Sequence, residues 1–137
     1  MNTQAPIPDP CPCGSALAYP DCCGPLIAGT QLPPTAERLM RSRYTAYTRG
    51  EADYLRATWH PTTRQQGVAL DETVRWLGLK IMATQAGGAD DQHGLVEFVA
   101  RYKIGGRAHR LHERSRFKRL QGRWFYVDGE LPPSSDP

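Results

Sequence analysis

At 137 residues the chain has room for one hydrophobic core, since a domain of this size buries roughly 68–70% of the surface its unfolded chain exposes and folds without a staple. Apolar residues at 39% and charged residues at 23% make an ordinary globular composition, and no apolar run nears the roughly 20 residues that cross a bilayer. The net charge of +3 hides an asymmetry: residues 101–123 carry nine basic side chains against Glu113 alone, while residues 1–100 sum to −2.

The first residues, MNTQAPIPDP, have neither the basic start nor the apolar segment of a secretory signal, so a reducing cytoplasm is the expected compartment and no membrane partner is expected. All four cysteines follow at once, in CPCGSALAYPDCCG: Cys11, Cys13, Cys22 and Cys23. Three arrangements are open. Disulfides suit a reducing compartment poorly, and a bond between adjacent cysteines strains the backbone. Free structural thiols are usually buried singly, not clustered beside Gly and Pro. The favoured arrangement is one structural Zn²⁺ per chain held by four thiolates, since soft sulfur ligands and the absence of His from the stretch favour zinc over calcium or magnesium. Gly14 suits the tight Cys-x-Cys hook, Ser15 is a fitting N-cap for a single helical turn to Tyr19, Pro20 breaks that turn, and Gly24-Pro25 ends the unit.

This stretch resembles the SEC-C motif, a small zinc knuckle with the pattern Cys-x-Cys-Gly-Ser-Gly, a basic and aromatic segment, then Cys-Cys or Cys-His. The resemblance implies that Cys11, Cys13, Cys22 and Cys23 are the ligands and that Tyr19 fills the aromatic position. Ala16 replaces the usual third glycine, and Leu17 and Ala18 replace the usual lysines. In the preprotein-translocase ATPase a similar knuckle, ringed by basic residues, binds a chaperone. Here no Lys or Arg precedes Arg38 and Asp9 and Asp21 flank the site, so that role does not transfer. An uncompensated anionic knuckle is expected to repel phosphates and to act as a staple and docking surface. Loss of its metal is expected to loosen the N-terminal unit and leave the rest folded.

Beyond a proline-rich hinge, Thr35 reads as an N-cap with Glu37 in the first turn, and Ala36, Met40, Tyr44 and Tyr47 form an apolar stripe at helical spacing until Gly50. A shorter helix opens at Glu51-Ala52-Asp53, carries Tyr54, Leu55 and Trp59, and ends at His60-Pro61. After a polar connection the texture turns to strands. WLGLKIMAT ends at GGADD; GLVEFVARYKI alternates, with Val96, Phe98, Ala100, Tyr102 and Ile104 on one face; Gly105-Gly106 makes a two-residue hairpin. RAHRLHERSRFKRL runs back, Gly122 turns, and RWFYVDG is the last strand. In the third strand Leu111, Glu113, Ser115 and Phe117 read as inward, and Arg110, His112, Arg114 and Arg116 as outward. Glu113 is then a carboxylate in an apolar layer, costly unless paired, and Arg43 is its candidate partner.

Helices first and antiparallel strands after predict an α+β fold with helices packed on a curved sheet. The element order and the strings LMRSRYTAY, ADYLRATWHP, ERSRF and WFYVDG resemble the bacterial YchJ family, which joins a SEC-C motif to a domain of the nuclear-transport-factor-2-like fold. That resemblance spans residues 10–131 and implies a cone of curved sheet closed by helices, with an interior that relatives of the fold use as a pocket. Many YchJ proteins carry a second SEC-C motif; this sequence has one. The expected organisation is a zinc knuckle over 9–26, a cone over 33–131 and a flexible tail over 132–137.

Three functions compete. A binding or docking module for a small molecule or a protein ranks first, because no Ser-His-Asp set, phosphate loop or open metal site is visible and no catalytic residue is assigned. An enzyme using the cone would draw on Arg43, Tyr44, Trp59, His60, Glu113 and Ser115, with Glu113 as acid or base; against this, Tyr44 and Trp59 read first as core and His60 first as a helix end. Nucleic acid binding would use Arg110, His112, Arg114 and Arg116 on phosphates, but no aromatic residue interleaves with them.

Overall fold

Thr35 accepts the Arg38 amide on its side chain at 3.1 Å and starts the longest helix, α2 (Ala36–Arg49), which Gly50 ends in a left-handed conformation. The computed structural model describes residues 9–65 and 70–131; the expected tail and part of the polar connection lie outside them. Ahead of α2 come a 3-10 turn at Tyr19–Asp21 and α1 (Cys23–Ala28), and α3 (Ala52–Ala57) follows it. Four strands complete the chain, β1 (Arg75–Ala86), β2 (His93–Ile104), β3 (Arg107–Leu120) and β4 (Arg123–Glu130), paired antiparallel in the order β1-β2-β3-β4.

The α+β expectation holds, with helices against one face of an antiparallel sheet. Both hairpins form as the glycines demand: Gly105 and Gly106, and Gln121 and Gly122, all take positive φ. Register shifts fall between Trp76 and Gly78 and between Ile81 and Ala83 in β1, and between Arg116 and Phe117 where β3 meets β4. Each such bulge bends its strand and adds local twist, which curves the sheet. Val96, Phe98, Ala100, Ser115, Phe117 and Trp124 are buried, and Leu39, Met40, Tyr44 and Leu55 are buried on the helices. The edge of β4 is partly covered: residues 58–60 run parallel to it, exchanging Tyr126 N to Thr58 O at 2.9 Å and His60 N to Tyr126 O at 2.7 Å.

Several local expectations change. Ser15 caps no helix; the turn begins at Tyr19 with Pro20 in its first positions, so Pro20 starts the turn instead of breaking it. Gly24-Pro25 does not end the knuckle either. Both lie in the first turn of α1, where a missing proline N–H costs nothing because that amide has no intrahelical partner. Ile104 is 39% exposed, since the end of β2 extends past the helices that cover Val96, Phe98 and Ala100.

Helix α2 is central because three of its sides are covered. Tyr44 and Met40 face the sheet side, Ser42 Oγ lies 2.6 Å from the Tyr54 hydroxyl of α3, and Thr45 touches the cysteines. This explains why Ser42, Arg43 and Thr45 are buried as well as the apolar stripe. The four cysteines share one core with Leu39, Met40, Tyr44, Phe98 and Trp124. The knuckle therefore packs against the same core as the helices and sheet.

Candidate metal centre and cone cavity

The Cys11–Cys13 hook is built by backbone that bends twice into the left-handed region, at Gly14 (φ 80°) and Ala16 (φ 70°). Cys11 N to Leu17 O at 2.9 Å and Tyr19 N to Asp9 O at 2.7 Å close the loop, and Cys22 and Cys23 follow from the turn into α1. All four sulfurs are buried and lie within 4.8 Å of one another. Two of the separations are 3.6 Å (Cys13–Cys22) and 3.9 Å (Cys22–Cys23). Sulfurs about 2.3 Å from a central ion span tetrahedron edges of about 3.8 Å. The donor set therefore fits a tetrahedral thiolate metal site, and the cysteines are free thiols, not disulfides. Burial pushes the Cys22 thiol up, while contacts with the Cys13 and Cys23 thiols draw Cys11 down. A dication would replace these shared protons.

The knuckle is not left anionic. Arg41 donates to the Cys13 carbonyl at 2.7 Å and to Glu37 at 3.0 Å, Arg38 reaches the Cys22 carbonyl at 3.4 Å, and Arg49 lies 3.9 Å above the Tyr19 ring. Burial works against the Arg41 charge, but Glu37 and Cys13 outweigh it and raise its pKa. Thr45 donates to Cys23 Sγ at 3.4 Å, and Ser15 Oγ sits 3.0 Å from Cys22 Sγ. The expected lack of compensation is thus corrected: the cations missing from the motif arrive from α2, at a spacing of three to eight residues that only the docked helix brings together.

The second candidate is a cavity of about 260 Å³ inside the cone. Helix α2 contributes Met40, Arg43, Tyr44 and Tyr47; the sheet contributes Trp76, Phe98, Ala100, Leu111, Glu113, Ser115 and Tyr126. Arg43, Tyr44, Glu113 and Ser115 are thus brought together as expected. Trp59 and His60 are not among the lining residues. They leave with the segment that runs along β4, where Trp59 packs edge-on to Tyr126 at 5.6 Å and His60 packs against Phe125 at 6.1 Å. Of the seven other lining residues, Met40, Tyr47, Phe98, Ala100 and Leu111 are marked by periodicity and Trp76 and Tyr126 only by lying in strand segments; the pattern lacks a reason to separate cavity wall from core.

Arg43 and Glu113 share this cavity but form no ion pair. Arg43 donates from Nη1 to the Leu55 carbonyl and to Thr58 Oγ1, both at 2.7 Å, and its guanidinium lies 4.6 Å from the centre of the Tyr126 ring. The end of α3 has unmatched carbonyls, and a cation there also meets the favourable end of the helix dipole. Glu113 instead accepts from Ser115 Oγ at 2.9 Å. Its carboxyl occupies the space above Gly129, the β4 partner of Ser115, and a side chain at Gly129 would collide with it. Burial pushes the Glu113 pKa up; the Ser115 hydrogen bond and the Arg43 charge pull down and do not overcome it. Burial likewise raises Tyr44 and Tyr126 to about 12, keeping both phenols neutral.

On the outer face, Arg116 forms a two-pronged pair with Asp128, and Glu97 accepts from His112 at 2.7 Å with Arg114 Nε 3.6 Å away. Arg110, the third expected phosphate ligand, faces Arg101 across the β2–β3 ladder. The expected row of free cations is therefore half neutralised.

A family model for the middle, NTF2-like domain of YchJ matches residues 35–129, and a SEC-C motif model matches residues 8–25. The chain belongs to the YchJ family. A UPF0225 protein of Ralstonia nicotianae is 53% identical over 147 residues, spanning 96% of this chain and 99% of its own length. A UPF0225 protein of Bordetella bronchiseptica is 52% identical over 134 residues, with 96% and 99% covered. The solution structure of a SEC-C motif containing protein from Rhodopseudomonas palustris superposes with a TM-score of 0.79 at 39% identity, covering 88% of this chain and 97% of that one. The crystal structure of another from Psychrobacter arcticus gives 0.74 at 25% identity, covering 96% and 86%. Membership of the YchJ family carries the nuclear-transport-factor-2-like fold and a metal-binding motif, and no reaction comes with it. No helix among the described residues is long and apolar enough to cross a membrane.

Proposed function

We propose that this YchJ-family protein is a zinc-stapled binding module that holds a small ligand in its cone cavity. Four soft thiolates at tetrahedral spacing favour zinc, in a closed structural site with no position for substrate. Reduced cysteines suit a cytoplasmic setting. One observation carries the binding role: an aromatic-walled cavity holds a Glu113–Ser115 polar pair with which no cation among the described residues forms an ion pair. Such a site fits a compact, largely apolar molecule with one polar end that donates to or accepts from Glu113. Native mass spectrometry of protein purified without chelator, followed by a denaturing spectrum, tests this. The expected native mass exceeds the chain by one zinc and by a small molecule that is lost on denaturation. A chain with zinc alone, under conditions where Glu113→Ala gives the same mass difference, would contradict cavity occupancy.

A second reading, an enzyme with Glu113 as general acid or base, is favoured by the burial that raises that carboxyl's pKa. It predicts that the molecule released from the wild-type protein differs chemically from the one retained by Glu113→Gln. Identical molecules would leave the binding module as the account.

A further inference from the structure

The outer face of the sheet divides into two halves of unlike charge balance. Toward the β4 edge two acids stand among the basic side chains: Glu97 accepts from His112 and lies 3.6 Å from Arg114, and Asp128 pairs with Arg116. Lys80, Arg101 and Arg110 are exposed, and no ion-pair partner for them occurs among the described residues. Arg101 and Arg110 are direct cross-strand partners, an arrangement of like charges that destabilises a sheet.

These three cations rim an open groove of about 670 Å³, and no acidic residue lines it. Apart from His109 its uncharged walls are aliphatic. Leu77 and Met82 lie at the two register shifts of β1 and are 48% and 46% exposed, while Val99 is buried beside them. Bulges re-aim side chains, and here both extra residues add apolar surface to the groove.

We propose that this groove docks an acidic segment of a partner protein that carries an aliphatic anchor. The cations offer electrostatic complementarity to carboxylates, and Leu77, Met82 and Val99 offer the apolar contact that a carboxylate-rich chain needs for affinity. A second copy of the chain is a poor occupant, because a two-fold pairing would set Lys80, Arg101 and Arg110 against their own counterparts. Nucleic acid fits less well than a peptide, because the aromatic ring lining the groove, His109, is already stacked on Tyr102 at 5.1 Å. This docking surface lies on the opposite side of the sheet from the cone cavity and does not depend on what that cavity holds.

The test uses the full-length, metal-loaded protein and a dye-labelled peptide of alternating Glu and Leu, followed by fluorescence anisotropy. Oligothymidylate, phosphatidylglycerol vesicles and a polyglutamate peptide serve as competing probes. Saturable binding of the Glu-Leu peptide is expected, weakened about tenfold or more by Arg101→Glu with Lys80→Glu, weakened less by Met82→Ser, and unchanged by Arg116→Ala on the balanced half. Arg110→Glu, which would give Arg101 a partner, is expected to raise the unfolding midpoint while weakening the peptide. Absent binding, equal binding by the Arg101→Glu, Lys80→Glu variant, or tighter binding of oligothymidylate or vesicles would overturn the proposal. So would a concentration-dependent dimer that Met82→Ser dissolves.

Discussion

The metal knuckle and the cone cavity both bury polar groups, and they solve the cost in opposite ways. In the knuckle every donor converges: four sulfurs point at one centre, and α2 supplies Arg38, Arg41 and Thr45 to the backbone and sulfurs around it. In the cavity the polar groups diverge. Arg43 turns to the end of α3, and Glu113 turns to Ser115 and into the gap left by Gly129. Convergent groups suit a permanent occupant whose binding free energy becomes folding free energy. Divergent groups around empty space leave hydrogen-bonding capacity for an occupant that comes and goes.

The largest effect should come from breaking the convergent centre. Cys23→Ser is expected to abolish stoichiometric metal and to lower unfolding free energy by about 3 kcal/mol or more, read by chemical denaturation across the whole chain. Next comes Arg43→Ala, which strands the Leu55 carbonyl and removes a cation stacked on Tyr126. A loss of about 2–4 kcal/mol is expected; a loss below about 0.5 kcal/mol would mean that α3 needs no such cap. Gly129→Ala should cost about 1–2 kcal/mol by displacing Glu113, and close to nothing in a Glu113→Ala background. Additive losses would refute the proposed packing of that carboxyl over the glycine.

Two smaller effects sharpen the contrast. Ala16→Gly should stabilise by about 0.5–1 kcal/mol, since an L-residue is held there at φ 70°. For Glu113 the folded pKa is raised, so its contribution to stability is full below the unfolded carboxyl range and is lost as pH rises through the folded value. Glu113→Gln should therefore gain on the wild type as pH rises through the raised folded pKa of Glu113, and the gain should vanish in acid. Parallel pH profiles for the two proteins would show that Glu113 titrates as in water.

The two regions also differ in how far they could be read in advance. The knuckle ligands lie within thirteen positions and their chemistry is local, so Cys11, Cys13, Cys22 and Cys23 identified themselves by spacing. Strand alternation likewise placed Glu113 and Ser115 inward. What could not be read was anything depending on where one element meets another. The arginines that neutralise the knuckle sit fifteen or more residues beyond its last cysteine. Charge pairs Arg43 with Glu113 in the sequence, whereas in the fold its guanidinium meets the Leu55 carbonyl at the end of α3. Trp59 and His60 look like pocket residues until the chain after α3 is seen to follow β4. Ala16 stands where the motif usually carries glycine, and only its positive φ shows why glycine suits that position.

The central claim is that the bound ion joins knuckle and cone into one cooperative unit. Scanning calorimetry of the full chain, metal-loaded and then treated with a zinc chelator under reducing conditions, tests it directly. The account predicts one transition in each case, with the midpoint lowered by about 10 °C or more on chelation. A main transition at an unchanged temperature, with at most a minor event lost, would contradict it and make the knuckle a separable appendage.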